Sequence, residues 1–214
     1  MEANFWHERW QSNRIGFHEA EVNPLLLAHF DSLQLDTGQR IFLPLCGKTL
    51  DIGWLLTRGV QVTGIELSEI AVRSLFDELS LEPTVTQHAD LKLFSADNLQ
   101  IWVGDFFALQ PGQLGTVHAV YDRAALVALP GDMRSRYTRH LTALTGHASQ
   151  LLITFSYDQS AMQGPPFSLS VDEVQQHYAT TYRLSELLRQ PMPGGLKGKL
   201  DADESVWLLQ PMTQ

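Results

Sequence analysis

The sequence predicts an α/β fold: a single-domain, doubly wound, mostly parallel seven-stranded sheet with one antiparallel edge strand, preceded by an N-terminal helical segment. Three observations predict it. Arg40-Ile-Phe-Leu-Pro-Leu-Cys46 is an apolar strand that enters a turn at Gly47, continues as a helix pattern and reaches a second apolar strand ending at Glu66. Such a strand–helix–strand unit is the repeating piece of a parallel sheet. Strand and helix patterns then keep alternating to about residue 178. Two last strand patterns, 182–190 and 204–210, have no helix between them and predict a hairpin that brings in the antiparallel strand.

The elements follow in order. Residues 4–12 read as a short helix in which Trp6 and Trp10, one turn apart, share a face. Asn13–Glu21 is irregular and carries Gly16, and Pro24 opens an amphipathic helix to Leu35. Strands are expected at 40–46, 60–66, 99–105, 116–122 and 149–157, and helices at 50–58, 68–80, 131–145 and 170–178. Ser68 with Glu69 opens one helix, and Ser170 with Glu173 forms a capping box for the last. Residues 82–98 are polar and read as an excursion, and 191–199 as a long loop. The chain divides into an N-terminal helical lid, 1–35, and an α/β core, 36–214, within one domain.

Composition excludes several function classes. At 214 residues the chain suits one domain with a substantial core, and 44% apolar residues exclude compositional disorder. A net charge of −9 without a run of cations argues against a nucleic-acid partner. No apolar run approaches membrane-spanning length, and the N-terminus lacks the apolar stretch of a signal peptide. The single cysteine, Cys46, excludes an intramolecular disulfide and is compatible with a cytoplasmic location. The eight histidines show no metal-ligand spacing, so no metal is expected.

The 40–66 unit points to a nucleoside cofactor. Ligands of doubly wound sheets bind at the carboxyl ends of the strands, and an acid at the end of the second strand accepts hydrogen bonds from ribose hydroxyls. Glu66 stands there, 20 residues after Cys46. A dinucleotide turn needs Gly-x-Gly-x-x-Gly to seat pyrophosphate, and a phosphate loop needs an earlier glycine where Phe42 stands. A cofactor with a ribose and no pyrophosphate remains, and S-adenosylmethionine fits.

These residues carry a family resemblance. Leu43-Pro-Leu-Cys-Gly-Lys48 with Asp51 and Trp54, then Gly64-Ile-Glu-Leu-Ser68, resembles the thiopurine S-methyltransferase family. So do Trp6 and Trp10 with Gly16-Phe-His18, Gly104-Asp-Phe-Phe107, Tyr121-Asp-Arg-Ala-Ala-Leu126 and Gly164-Pro-Pro-Phe167. The similarity runs from about Trp6 to about Gln210 and resembles the bacterial branch. It implies a class-I, Rossmann-like methyltransferase fold and methyl transfer from S-adenosylmethionine to the sulfur of thiopurines or other aromatic thiols. Selenium and tellurium compounds, in detoxification, are further acceptors to consider. Runner-up readings are a halide or thiocyanate methyltransferase and a non-catalytic S-adenosylmethionine-binding module. A monomer is expected.

Residue by residue, Trp10, Leu45, Glu66, Asp105, Phe106 and Arg123 are the expected cofactor contacts, with Phe17 and Arg123 toward the acceptor. Trp6 is expected to fix the first helix to the sheet, and of Phe106 and Phe107 one is expected in the core and one at adenine. Cys46 reads as a small apolar wall residue. Lys48 is either a solvated turn residue or a partner for the cofactor carboxylate. Arg123 holds an anionic acceptor or, alternatively, pairs with Asp122 or Asp105. His18 is expected at the acceptor pocket, and His140 and His147 on the surface. Asp122, Arg123 and His18 are the candidate catalytic residues. Proton removal falls to solvent, to Asp122 or to an acid in the 16–21 loop, because a soft, easily ionised sulfur needs no strong base. The 193–200 loop is rich in Gly and Lys, with Lys197 and Lys199, where the animal members of the family carry an arginine, which leaves open whether this loop contacts the acceptor.

Overall fold

A computed structural model describes residues 3–16 and 18–212. Five strands run parallel at the centre: β1 (Arg40–Pro44), β2 (Gln61–Glu66), β5 (Leu99–Val103), β6 (Ala119–Asp122) and β7 (Ser149–Ser156). With β3 (Thr84–His88), β4 (Leu91–Ala96), β8 (Tyr182–Pro191) and β9 (Asp203–Pro211) they form one sheet in the order β3-β4-β5-β2-β1-β6-β7-β9-β8.

The sheet therefore has nine strands where seven were expected. The polar 82–98 stretch is a β-hairpin, β3–β4, laid antiparallel on β5. The strand antiparallel to the core, β9, is also not at the edge: it lies between β7 and β8. That position follows from the hairpin, because β9 pairs with β7 while β8 folds back outside it.

Two cores sandwich the sheet, as side-chain alternation along each strand dictates. Ile41 and Leu43 join one core with Ile52, Leu55 and Val72. Phe42 joins the other with Leu126, Tyr137 and Leu141. Helices α3 (Asp51–Thr57) and α4 (Glu69–Glu78) cover the first face, and α6 (Gly131–Leu144) and α7 (Val171–Tyr178) the second. The short helix α5 (Pro111–Leu114) precedes β6.

The N-terminal region is α1 (Ala3–Gln11), then α2 (Pro24–His29). The expected helix to Leu35 stops at His29 and tightens into a 3-10 turn over Phe30–Leu33. Asn23 caps α2, accepting from the amides of Leu25 and Leu26.

Candidate active site

Strand order reverses between β1 and β6, which creates the crevice where doubly wound sheets bind ligands. There the ends of β1, β2, β5 and β6 open onto a cavity of about 860 Å³. The backbone on both sides of the reversal is unusual. Leu45, after β1, and Ala124, after β6, both have positive φ, 47° and 62°. Such conformations are uncommon outside glycine and concentrate at binding sites.

Glu66 is the buried acid of this crevice. Its Oε2 accepts from the Gly47 amide at 2.8 Å and its Oε1 from the Ser68 amide at 2.8 Å. Each oxygen keeps a second lone pair for a ligand hydroxyl. Burial pushes the carboxyl above its ordinary range, while the amides of Ser68, Gly47 and Leu67 pull it back. The Gly47 turn, with φ at 55°, is covered by Trp10: a Cβ on Gly47 would lie 3.1 Å from the indole Cζ2. Trp10 is buried at 8% exposure and lines the cavity. Trp6 lines it as well, rather than serving only to fix α1.

Cys46 also lines the cavity, wedged so closely on Gly64 that a Cβ there would meet its sulfur at 2.8 Å. Burial, the largest cause, and the nearby Glu66 raise its thiol well above the ordinary range. A thiol held protonated is a wall, not a nucleophile. Lys48 is bound to Glu78 and to Ser74 Oγ at 3.2 Å, so it bridges the turn to α4.

At the end of β5, Asp105 accepts from the Phe107 amide at 3.0 Å and caps a short 3-10 turn. Phe106 and Phe107 both line the cavity, edge to face at 5.4 Å. Phe106 is the buried one, against Tyr137 at 5.0 Å. His140 supports it from behind with a 3.2 Å bond to Phe106 O, so His140 is not a surface residue. His147 is exposed.

Asp122 and Arg123 go to opposite sides. Asp122 is fully buried and does not line the cavity. Tyr137 donates to its Oδ2 at 2.7 Å and the Leu126 amide to its Oδ1 at 3.1 Å. Burial pushes its pKa up to about 6. Placed behind the wall, it holds the turn and α6 rather than meeting an acceptor, and this corrects its reading as a catalytic candidate. Arg123 does line the cavity, and its partner is Glu19, not Asp122 or Asp105. Glu19 belongs to the 16–21 loop and also lines the cavity, with His18 beside it. Burial and the charge of Lys48 lower the His18 pKa, so its ring is neutral at neutral pH. Phe17 lies outside the described residues.

Sequence reasoning missed Asp51 as an anchor. It is buried below the β1 turn, accepting from the Asn23 amide at 2.8 Å and the Tyr121 hydroxyl at 3.1 Å. It also missed the roof. Pro165 and Pro166 line the cavity, and so do Met192, Leu196 and Lys197 of the loop between β8 and β9. Lys197 Nζ donates to Pro165 O at 2.8 Å. The glycine-rich composition of that loop gave no sign that it folds back. Among the described residues no cluster could hold a metal ion.

Comparison with known proteins matches this arrangement to a family. The family model described as thiopurine S-methyltransferase matches residues 1–205. The chain belongs to the thiopurine S-methyltransferase family. It is 54% identical over 209 residues to a thiopurine S-methyltransferase from Teredinibacter turnerae, covering 98% of this chain and 97% of that one. It is 53% identical to one from Xanthobacter autotrophicus, covering 98% and 99%. Among solved structures it is similar in fold to an S-adenosylmethionine-dependent methyltransferase from Anabaena variabilis, with TM-score 0.68, 12% identity and 98% and 95% coverage. A Burkholderia thailandensis 1,6-didemethyltoxoflavin-N1-methyltransferase, solved with S-adenosylhomocysteine, gives TM-score 0.66 at 15% identity, covering 97% and 87%. Membership makes this chain an S-adenosylmethionine-dependent methyltransferase. The donor set fits that cofactor. A buried carboxylate with spare lone pairs, an indole face and phenyl rings suit a nucleoside, and Gly47 is not part of a phosphate-seating glycine run.

Proposed function

We propose that the chain methylates the sulfur of thiopurines or other aromatic thiols. The observation that carries this reading is the continuity of one cavity. Its walls include Glu66 and Trp10 and, in the same space, Phe155, Met192, Leu196, Pro165, Pro166 and Arg123. A flat, apolar, polarisable acceptor suits such walls.

Bound S-adenosylmethionine supplies a methyl group already activated by its sulfonium leaving group. The residues therefore orient and dry the reactants more than they activate them. Glu66 takes the ribose hydroxyls, Asp105 and Phe106 the adenine, and Leu45 the wall beside the sulfonium. Trp10 seals the Gly47 turn against water. Arg123, fixed by Glu19, orients the acceptor. Neutral His18 and the Glu19 carboxylate, both lining the cavity, are groups able to take the thiol proton. The same soft-nucleophile chemistry extends to selenium and tellurium compounds, which would give the chain a part in detoxification. Small soft anions are the weaker reading, because Glu19 already neutralises the Arg123 guanidinium.

The test is product detection by mass spectrometry with S-adenosylmethionine and a panel of thiophenol, 6-mercaptopurine, selenite, thiocyanate and iodide. Methylated thiophenol and 6-mercaptopurine are expected. Methylation of thiocyanate or iodide alone would overturn the thiol reading, and no product with any acceptor would indicate a binding module.

A further inference from the structure

Five cations line the cavity: Arg9, Lys48, Arg123, Arg136 and Lys197. Their partners differ. Lys48 is bound to Glu78 and Arg123 to Glu19. Arg136 lies over the Phe107 ring, 3.8 Å from its centroid. Arg9, from α1, and Lys197, from the loop between β8 and β9, have no carboxylate within ion-pair distance among the described residues. Their visible contacts leave donors over. Lys197 gives one N–H to Pro165 O, and Arg9 makes a 3.4 Å contact to Arg14 O and lies over the Phe5 ring.

Both side chains line the same cavity. Burial lowers the Lys197 pKa first, and the charge of Arg9 lowers it further. Two like charges brought together on a cavity wall are unfavourable unless an anion joins them. In a chain of net charge −9, acids are plentiful, yet among the described residues no carboxylate pairs with either cation. The Arg123 guanidinium is not available for this task, because Glu19 holds it.

We propose that Arg9 and Lys197 form an anion subsite at the acceptor end, and that the preferred acceptor is an aryl or heteroaryl thiol bearing a carboxylate. The inference rests on reading the cavity as the methyl-transfer site. The subsite is built from two elements far apart in sequence, so a bound carboxylate joins α1 to the loop over the roof.

The experiment compares 4-mercaptobenzoate with thiophenol in the wild type, Arg9→Met and Lys197→Met. The ratio of kcat/KM for 4-mercaptobenzoate to that for thiophenol is expected to fall at least about fivefold in each variant, the scale of one charge-assisted contact in a part-exposed site. Parallel losses on both thiols would overturn the proposal. Calorimetry with S-adenosylhomocysteine separates the other source of a carboxylate: a fall in its affinity matching the loss on 4-mercaptobenzoate would assign the cations to the cofactor and overturn the proposal. If the wild type methylates neither thiol, the thiol-acceptor reading fails by itself. The subsite is then read by calorimetry with 4-(methylthio)benzoate in the presence of S-adenosylhomocysteine. Weaker binding in both variants supports it, and equal binding in all three proteins overturns it.

Discussion

The Gly47 amide donates to Glu66 Oε2 at 2.8 Å, which ties the turn after β1 to the acid that ends β2. The Ser68 amide holds the other oxygen, so the carboxylate has one orientation. Glu66→Gln keeps the shape but sets an NH₂ group against one of two backbone donors. Affinity for S-adenosylhomocysteine should fall at least about tenfold, roughly 1.4 kcal/mol. Calorimetry on the folded variant checks this, and unchanged affinity would remove Glu66 from the cofactor site.

Trp10 lies on the same turn. Gly47→Ala would place a Cβ 3.1 Å from the indole and force alanine to a φ of 55°, at a cost of about 1–2 kcal/mol. The variant should lose S-adenosylhomocysteine affinity and thermal stability together. In the wild type, hydrogen exchange over residues 3–16 and 18–20 should slow when S-adenosylhomocysteine binds. Equal exchange with and without ligand would mean that α1 does not act as a lid.

Asp51 joins the cap of α2 to the end of β6 through the Asn23 amide and the Tyr121 hydroxyl. Asp51→Ala strands both donors in the interior and should destabilise by about 2–4 kcal/mol in urea denaturation. A loss within experimental error would show that water or another group replaces the carboxylate.

Arg123→Lys keeps the charge facing Glu19 but loses the planar fork. Turnover of an aromatic thiol should fall at least about tenfold, roughly 1.4 kcal/mol of barrier. The melting temperature should stay close to that of the wild type. Normal turnover in Arg123→Lys would mean that the residue supplies charge alone.

Asp122 makes stability fall as pH rises. Burial raises its folded pKa from the ordinary 3.8 to about 6, so between those values the folded state holds a proton that the unfolded state has released. Its contribution is fully present below about pH 3.8 and lost as pH rises to about 6, roughly 3 kcal/mol in all. Relative to Asp122→Asn, the wild type should therefore weaken from pH 4 to pH 7 in urea denaturation. Parallel pH profiles would contradict this assignment.

The legible parts of the fold were those with apolar periodicity. The β1 and β2 strands show it plainly, and Glu66 could be placed at a strand end by spacing alone. The β3–β4 hairpin was not legible, because every residue of β3 is exposed and no alternation marks it. The interior place of the antiparallel β9 is not legible either, because a hairpin pattern gives no order relative to the sheet. At the site, adjacent residues at a strand end point opposite ways, yet charge alone does not say which faces the ligand. Asp122 and Arg123 show the difficulty. The pairing of Glu19 with Arg123, 104 positions apart, depends on a loop path that no local pattern encodes.

Methyl transfer to sulfur is tested most directly by supplying S-adenosylmethionine labelled with ¹³C in its methyl group together with 6-mercaptopurine, and reading the product by NMR. The labelled methyl should appear on sulfur in the wild type and should be formed far more slowly by Glu66→Gln. A label on a ring nitrogen, or no turnover of a chain that binds both compounds, would contradict the account.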